Sequence, residues 1–103
     1  MVKWTPKSQN DLEEMMGHIA ENFNLDLATE IIYGLVDYAE GTLSENPLAG
    51  KLLESNPLFS KLIYRGNSIY YCENPNDKYL YIVYVQARQM KFRPDRLNED
   101  EVA

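Results

Sequence analysis

Nine side chains in the second half of the chain are of types that hold phosphates, stack on bases or move protons: Lys61, Tyr64, Arg65, Tyr70, Tyr71, Arg88, Lys91, Phe92 and Arg93. Lysine and arginine bring charge-assisted donors to phosphate oxygens. Tyrosine either stacks on a base or exchanges its phenolic proton. All nine fall within residues 58–96, a stretch that holds seven of the ten Lys and Arg residues and six of the eight tyrosines. The same residues have a plainer use, the tyrosines as core and rim and the basic groups as solubilising edges, and for the tyrosines that reading is favoured. Arg88 is different. It ends the most β-prone run of the chain, where a sheet presents side chains to a cleft.

Other chemistries fall away. The chain has one His and one Cys without ligand spacing, so no metal site is expected. His18 lies beside the apolar face of a helical stretch, and Cys72 reads as a buried strand residue, not as a nucleophile paired with it. There is no G-x-x-x-x-G-K-[ST] loop, and no cofactor is expected. The carboxylates are spread over helical faces at the spacing of a solvated surface, not paired for glycoside hydrolysis. No apolar run approaches the roughly 20 residues of a membrane span. The polar start MVKWTPKSQNDLEE is unlike a secretory signal, and with a single cysteine it points to the cytoplasm.

The 103 residues suit one domain with one modest core. Their net charge of −6 is unevenly spread: residues 1–57 carry −7, residues 58–96 carry +4 and the last seven carry −3. A basic half between two acidic parts faces either a phosphate backbone or an acidic protein partner.

Helices followed by strands must position the nine residues. Residues 1–4 suit an edge strand, and Thr5-Pro6 reads as an N-cap with proline at the first helical position. Leu12, Met15, Met16, Ile19, Ala20 and Phe23 follow at helical spacing. Asn24 or Asp26 caps a second helix, with apolar positions from Leu27 to Leu43, that ends before Asn46-Pro47. A short connection makes the two an antiparallel hairpin. Two Asn-Pro-Leu turns flank a short strand at residues 51–54. Three strands at residues 59–64, 68–73 and 79–87 follow, with Arg65-Gly66-Asn67 as the first turn between them. Joined by short turns, they are antiparallel. In the last, Leu80, Ile82 and Tyr84 are expected on one face, with Gln86 and Arg88 continuing it, and Tyr81, Val83 and Val85 on the other. The expected architecture is α+β: an N-terminal strand and a helical hairpin on one face of a small, mainly antiparallel sheet, spanning residues 1–97. A flexible acidic end at 98–103 is expected beyond it.

Several of these stretches, in this order, resemble the RelE/ParE superfamily, the toxins of bacterial type II toxin–antitoxin modules. Trp4-Thr5-Pro6 with Ser8 and Asp11-Leu12 is similar to that family's first strand and helix start. Leu43, Pro47 and Gly50 resemble its link into the sheet, and Ser68-Ile69-Tyr70-Tyr71 its Y-R-I-x-Y strand. Ile82 to Arg88 is similar to its final strand, which ends in a characteristic Arg. Residues 2–92 are covered. Two departures stand out: Val85 and Gln86 lie where many members carry a His, and Gln89 lies where Asp is common.

The resemblance implies a toxin neutralised by a cognate antitoxin, as a dimer or a toxin–antitoxin hetero-oligomer. RelE-type members are strongly basic ribosome-dependent ribonucleases, whereas ParE-type members poison DNA gyrase and tolerate an acidic chain better. The net charge of −6 therefore favours the ParE-like, plasmid-stabilising reading, a non-catalytic gyrase inhibitor. Its target-binding residues would be Arg65, Arg88, Lys91 and Arg93. The alternative is a RelE-like endonuclease acting on messenger RNA in the ribosome. There Lys61, Arg65, Arg88 and Lys91 would surround the scissile phosphate, and Tyr71 or Tyr84 would transfer protons. A third reading is a non-toxic relative that serves as a binding module.

Overall fold

Thr5 starts the first helix in the way its position suggests. Its Oγ1 accepts the Ser8 N–H at 3.2 Å, and Pro6 occupies the first turn, where no N–H is needed. In this computed structural model, which describes residues 1–98, the elements run β1 (Val2–Trp4), α1 (Pro6–Asn22), α2 (Leu25–Glu45), β2 (Lys51–Leu52), β3 (Ser60–Tyr64), β4 (Asn67–Glu73) and β5 (Leu80–Gln86). A short 3₁₀ turn, Pro94–Arg96, follows. Asn24 caps α2 through its Oδ1, which accepts the Leu27 N–H at 2.7 Å. No helix among the described residues is long and apolar enough to cross a membrane. The acidic end expected at 98–103 lies, apart from Asn98, outside the described residues.

The five strands are ordered β1-β5-β4-β3-β2. β1 runs parallel to β5, and the other neighbours are antiparallel. One face of the sheet carries the helical hairpin over a core that includes Leu35, Leu43, Leu62, Ile69, Ile82 and Val85. Among the described residues the opposite face carries no α-helix, and it has a smaller core of Phe59, Tyr70, Cys72, Val83, Tyr84 and Leu97. The expected α+β architecture is the one observed.

Three local expectations need correction. The β3–β4 turn is Arg65-Gly66, with φ of 50° and 83°, so Asn67 is the first residue of β4 and not part of the turn. Both central residues at positive φ is the geometry whose twist matches a two-residue hairpin. The strand expected over 51–54 is shortened to Lys51–Leu52. The third correction is a bulge in β5: Tyr70 faces Tyr84 while Tyr71 faces Ile82, which leaves Val83 as the extra residue. Side-chain parity therefore inverts. Ile82 and Val85 both join the helix-side core, and Val83 and Tyr84 both join the opposite one. Beyond β5 the chain turns back on the sheet. It crosses the helix-free face, where Phe92 lies over Tyr70 and Leu97 is buried.

An ion pair holds this tail. β1 ends opposite Ile82, with the Thr5 N–H donating to Ile82 O at 3.0 Å, and the chain then turns into α1. Beyond that point Asp11 of α1 supplies what β1 no longer can: its Oδ2 accepts the Val85 N–H at 3.0 Å. The same carboxylate takes two hydrogen bonds from Arg96, at 2.7 and 2.9 Å, and Arg96 Nη2 reaches Val83 O at 3.4 Å. Only 12% of the Arg96 side chain and 10% of the Asp11 side chain are exposed, so the pair is largely shielded from solvent screening. Asp11→Ala is therefore expected to lower the free energy of unfolding by about 3 kcal/mol, because it leaves the Arg96 charge buried without that carboxylate. Arg93→Ala, which removes only the exposed Arg93–Asp95 pair, should change it by less than about 0.5 kcal/mol. Urea denaturation midpoints of the two variants check the contrast.

Candidate functional site

The antiparallel register lays a row of side chains across the helix-free face. Lys61 of β3 is opposite Tyr70 of β4, and Tyr70 is opposite Tyr84 of β5. One pair further along, Ser68 is opposite Gln86. At the end of this row is an open cleft of about 380 Å³, lined by Lys61, Ser68, Tyr70, Gln86, Arg88 and Phe92 together with Leu53, Ser55, Gly66 and Ala87. None of these lining residues is a carboxylate.

Tyr70 forms the floor. Its ring is stacked on Tyr84, with centroids 5.0 Å apart and planes 13° from parallel, and Phe92 is tilted over both at 5.4 and 6.3 Å. The bulge makes this stack possible, because without it Tyr84 would point into the helix-side core. The Tyr70 hydroxyl donates to Gln86 Oε1 at 2.7 Å. Burial pushes its pKa above 10.0; a hydrogen bond with Ser68 pulls it down, and the neighbouring Tyr84 adds to the rise. At neutral pH Tyr70 is a protonated donor, not a base.

Arg88 lies just past β5 and lines the cleft with its side chain over Gly66, where an added Cβ would be 3.3 Å from the Arg88 Cβ. It also lines a larger, mostly apolar groove of about 720 Å³ on the helix side, which includes Met15, Ile19, Phe23, Ile31 and Arg65. Arg88 is thus shared between two concavities.

The other expected site residues are dispersed. Arg65 is in the β3–β4 turn, 3.6 Å from Glu30 of α2, and it lines the groove and not the cleft. Lys91 and Arg93 line a third cavity between α1 and the tail, beside Asp11, Glu14 and His18. Tyr84 is buried, with the Arg96 guanidinium 4.7 Å above its ring, and it contributes to that third cavity. Tyr71 is on the opposite face of the sheet. There its hydroxyl accepts the Gly50 N–H at 2.8 Å and donates to Pro47 O at 3.2 Å, which ties the link after α2 to β4. The six basic and tyrosine candidates for catalysis therefore contribute Lys61 and Arg88 to one cleft. Tyr70 takes the place expected for Tyr71 or Tyr84.

Ser68, Gln86 and the Asp11–Arg96 pair were not among the expected site residues. Gln86 was legible as sharing a face with Tyr84. Asp11 carried a signal too: with Ser8 and Met15, both buried, it falls at the three- and four-residue spacing of the inward face of α1.

No family model matches this chain, and no curated protein is found similar to it. Among solved structures, a chain of the toxin–antitoxin complex RelBE2 from Mycobacterium tuberculosis matches it with a TM-score of 0.63, over 85% of this chain and 96% of that one. The two chains share a fold. Their sequences are 21% identical, so the likeness concerns the arrangement of strands and helices, and chemistry has to be argued from the side chains.

Two outcomes follow. A Cβ at Gly50 would be 2.6 Å from Tyr71 Cε1 and 2.9 Å from Cζ, and the buried ring has little room to yield. Gly50→Ala should cost about 1–3 kcal/mol in stability, read by thermal unfolding. The second outcome concerns alkaline pH. Because the folded state holds Tyr70 protonated to higher pH than the unfolded chain does, its contribution to stability is present below pH 10.0 and is lost as pH rises through the folded pKa. Tyr70→Phe should flatten that alkaline loss, measured as the slope of unfolding free energy against pH.

Proposed function

We propose that this protein is the toxin of a toxin–antitoxin pair and that it cleaves RNA held in the Lys61–Arg88 cleft. The observation that carries the reading is the convergence of these two cations on a carboxylate-free cleft, with Tyr70 and Phe92 beside them. Two cations there can hold a phosphodiester and offset the charge that develops as a ribose 2′-hydroxyl attacks the phosphorus. The P–O5′ bond breaks, leaving a 2′,3′-cyclic phosphate and a 5′-hydroxyl, with the 2′-hydroxyl proton passing through water to the departing 5′-oxygen. Phe92, the exposed ring of the pair, offers a flat surface beside that phosphate. Tyr70 enters as a neutral donor, so the cleft works chiefly by positioning and charge stabilisation.

The acidic net charge of −6 does not oppose this as strongly as it does in the sequence alone. α1 and α2, which carry nine of the acidic residues, pack on the other face of the sheet. The shared fold with a RelBE2 chain, which comes from a toxin–antitoxin complex, supports an antitoxin as partner. A gyrase inhibitor acting through Arg65, Arg88, Lys91 and Arg93 as one surface has less support. Those four are spread over three concavities, and Arg65 and Arg93 are engaged with Glu30 and Asp95.

Purified protein is expected to cleave message bound in ribosomes. Arg88→Ala and Lys61→Ala should each slow cleavage about 100-fold while leaving the melting temperature within a few degrees of wild type. Absence of cleavage, together with inhibition of gyrase supercoiling, would replace this reading with the gyrase one.

A further inference from the structure

The turn that carries Arg88 is anchored by two side-chain amides. Near its start, Asn67 Oδ1 accepts the Arg88 N–H at 2.9 Å, while Asn67 Nδ2 donates to Tyr64 O at 3.1 Å. At its end, Gln86 Nε2 donates to Met90 O at 2.8 Å, and Gln86 Oε1 accepts the Tyr70 hydroxyl at 2.7 Å. Between them the Met90 N–H closes the turn on Ala87 O at 2.9 Å. Asn67 is only 6% exposed, an unusual place for an amide unless its hydrogen bonds are used, and here both ends of it are.

We infer that Asn67 and Gln86 are positioning residues, a pair of amides that sets Arg88 against Lys61. Among the described residues no ion pair or hydrogen bond holds the Arg88 guanidinium itself, so the placement of that side chain rests on its main chain. Asn67 ties that main chain to the β3–β4 hairpin, which carries Lys61. Gln86 ties the far end of the turn to Tyr70, the direct cross-strand neighbour of Lys61. The two cations reach one cleft from strands that are not adjacent, and these amides bridge the gap. The inference rests on the cleft being the reacting site, and it adds two residues that act through Arg88.

Isosteric variants separate the roles. Asn67→Asp keeps the acceptor for the Arg88 N–H and loses only the donor to Tyr64 O, whereas Asn67→Ala removes both. Gln86→Glu keeps the acceptor for Tyr70 but has no donor for Met90 O. In Asn67→Ala the Arg88 amide hydrogen, and in Gln86→Glu the Met90 amide hydrogen, should exchange with solvent at least about tenfold faster by NMR. In Asn67→Ala, single-turnover cleavage of ribosome-bound message should fall by about 10- to 100-fold, with affinity for a fluorescent RNA oligonucleotide changed by less than about threefold. Gln86→Glu also places a carboxylate in the cleft, so for that variant amide exchange alone reads the clamp. Asn67→Asp, which retains the acceptor, should keep Arg88 protection and cleavage well above those of Asn67→Ala. An Asn67→Asp protein as impaired as Asn67→Ala, or losses that only follow the fraction unfolded, would overturn the inference. If wild-type protein cleaves nothing, the reading of the cleft fails. Amide exchange then decides the clamp alone: protection kept in Asn67→Asp and lost in Asn67→Ala supports it, and equal rates in the two refute it.

Discussion

Strand β5 has a neighbour on its outer side for only part of its length, and the Asp11 carboxylate completes that edge. β1 covers β5 as far as Ile82, after which the chain leaves the sheet to form α1. A buried strand edge with unmatched N–H and C=O groups is costly. Asp11 is on the second turn of α1, where one carboxylate accepts the Val85 N–H and binds Arg96 through both of its oxygens. Arg96 in turn reaches Val83 O. One buried pair thus joins the first helix, the strand edge and the C-terminal tail, segments separated by up to 85 positions in sequence. Such a pair contributes less through net attraction than through the cost of breaking it, which penalises arrangements that separate the helix, strand and tail.

The bulge in β5 has comparable reach. A single extra residue at Val83 turns Tyr84 from the helix side to the helix-free side and turns Val85 the other way. The first change creates the Tyr70–Tyr84 stack on which Phe92 rests. The second returns an apolar residue to the main core and aims its N–H at Asp11. Cleft floor and tail latch are therefore consequences of the same irregularity. Bulges occur where a strand has to re-aim its side chains near a site, and this one does so on both faces.

Charge is organised by layer. The helices that carry much of the acidity cover one face, while the cleft on the other is lined by Lys61 and Arg88 without a carboxylate. A formal net charge of −6 consequently says little about the local field at that cleft. Arg88 is at the boundary of the two layers, where it lines both the cleft and the apolar groove beneath the hairpin. An occupant of either concavity would meet the same guanidinium.

Much of the architecture is written locally. Thr5, Pro6 and Asn24 cap the helices as their types and positions indicate, and apolar spacing marks the inward faces of α1 and α2. Gly66 marks the turn between β3 and β4, and Arg88 at a strand end marks the cleft. These signals act within a few residues, so the sequence by itself determined the elements, the class of fold and Lys61 and Arg88 as candidates for a site. Pairing and parity are different, because they depend on contacts between distant segments. Nothing near Val83 announces the bulge that turns Tyr84 to the face of Tyr70. Arg96 reads as a polar tail residue until Asp11 is brought beside it. Tertiary structure alone decided which tyrosine faces the cleft and which cations share it, because one register shift moves a side chain through the sheet.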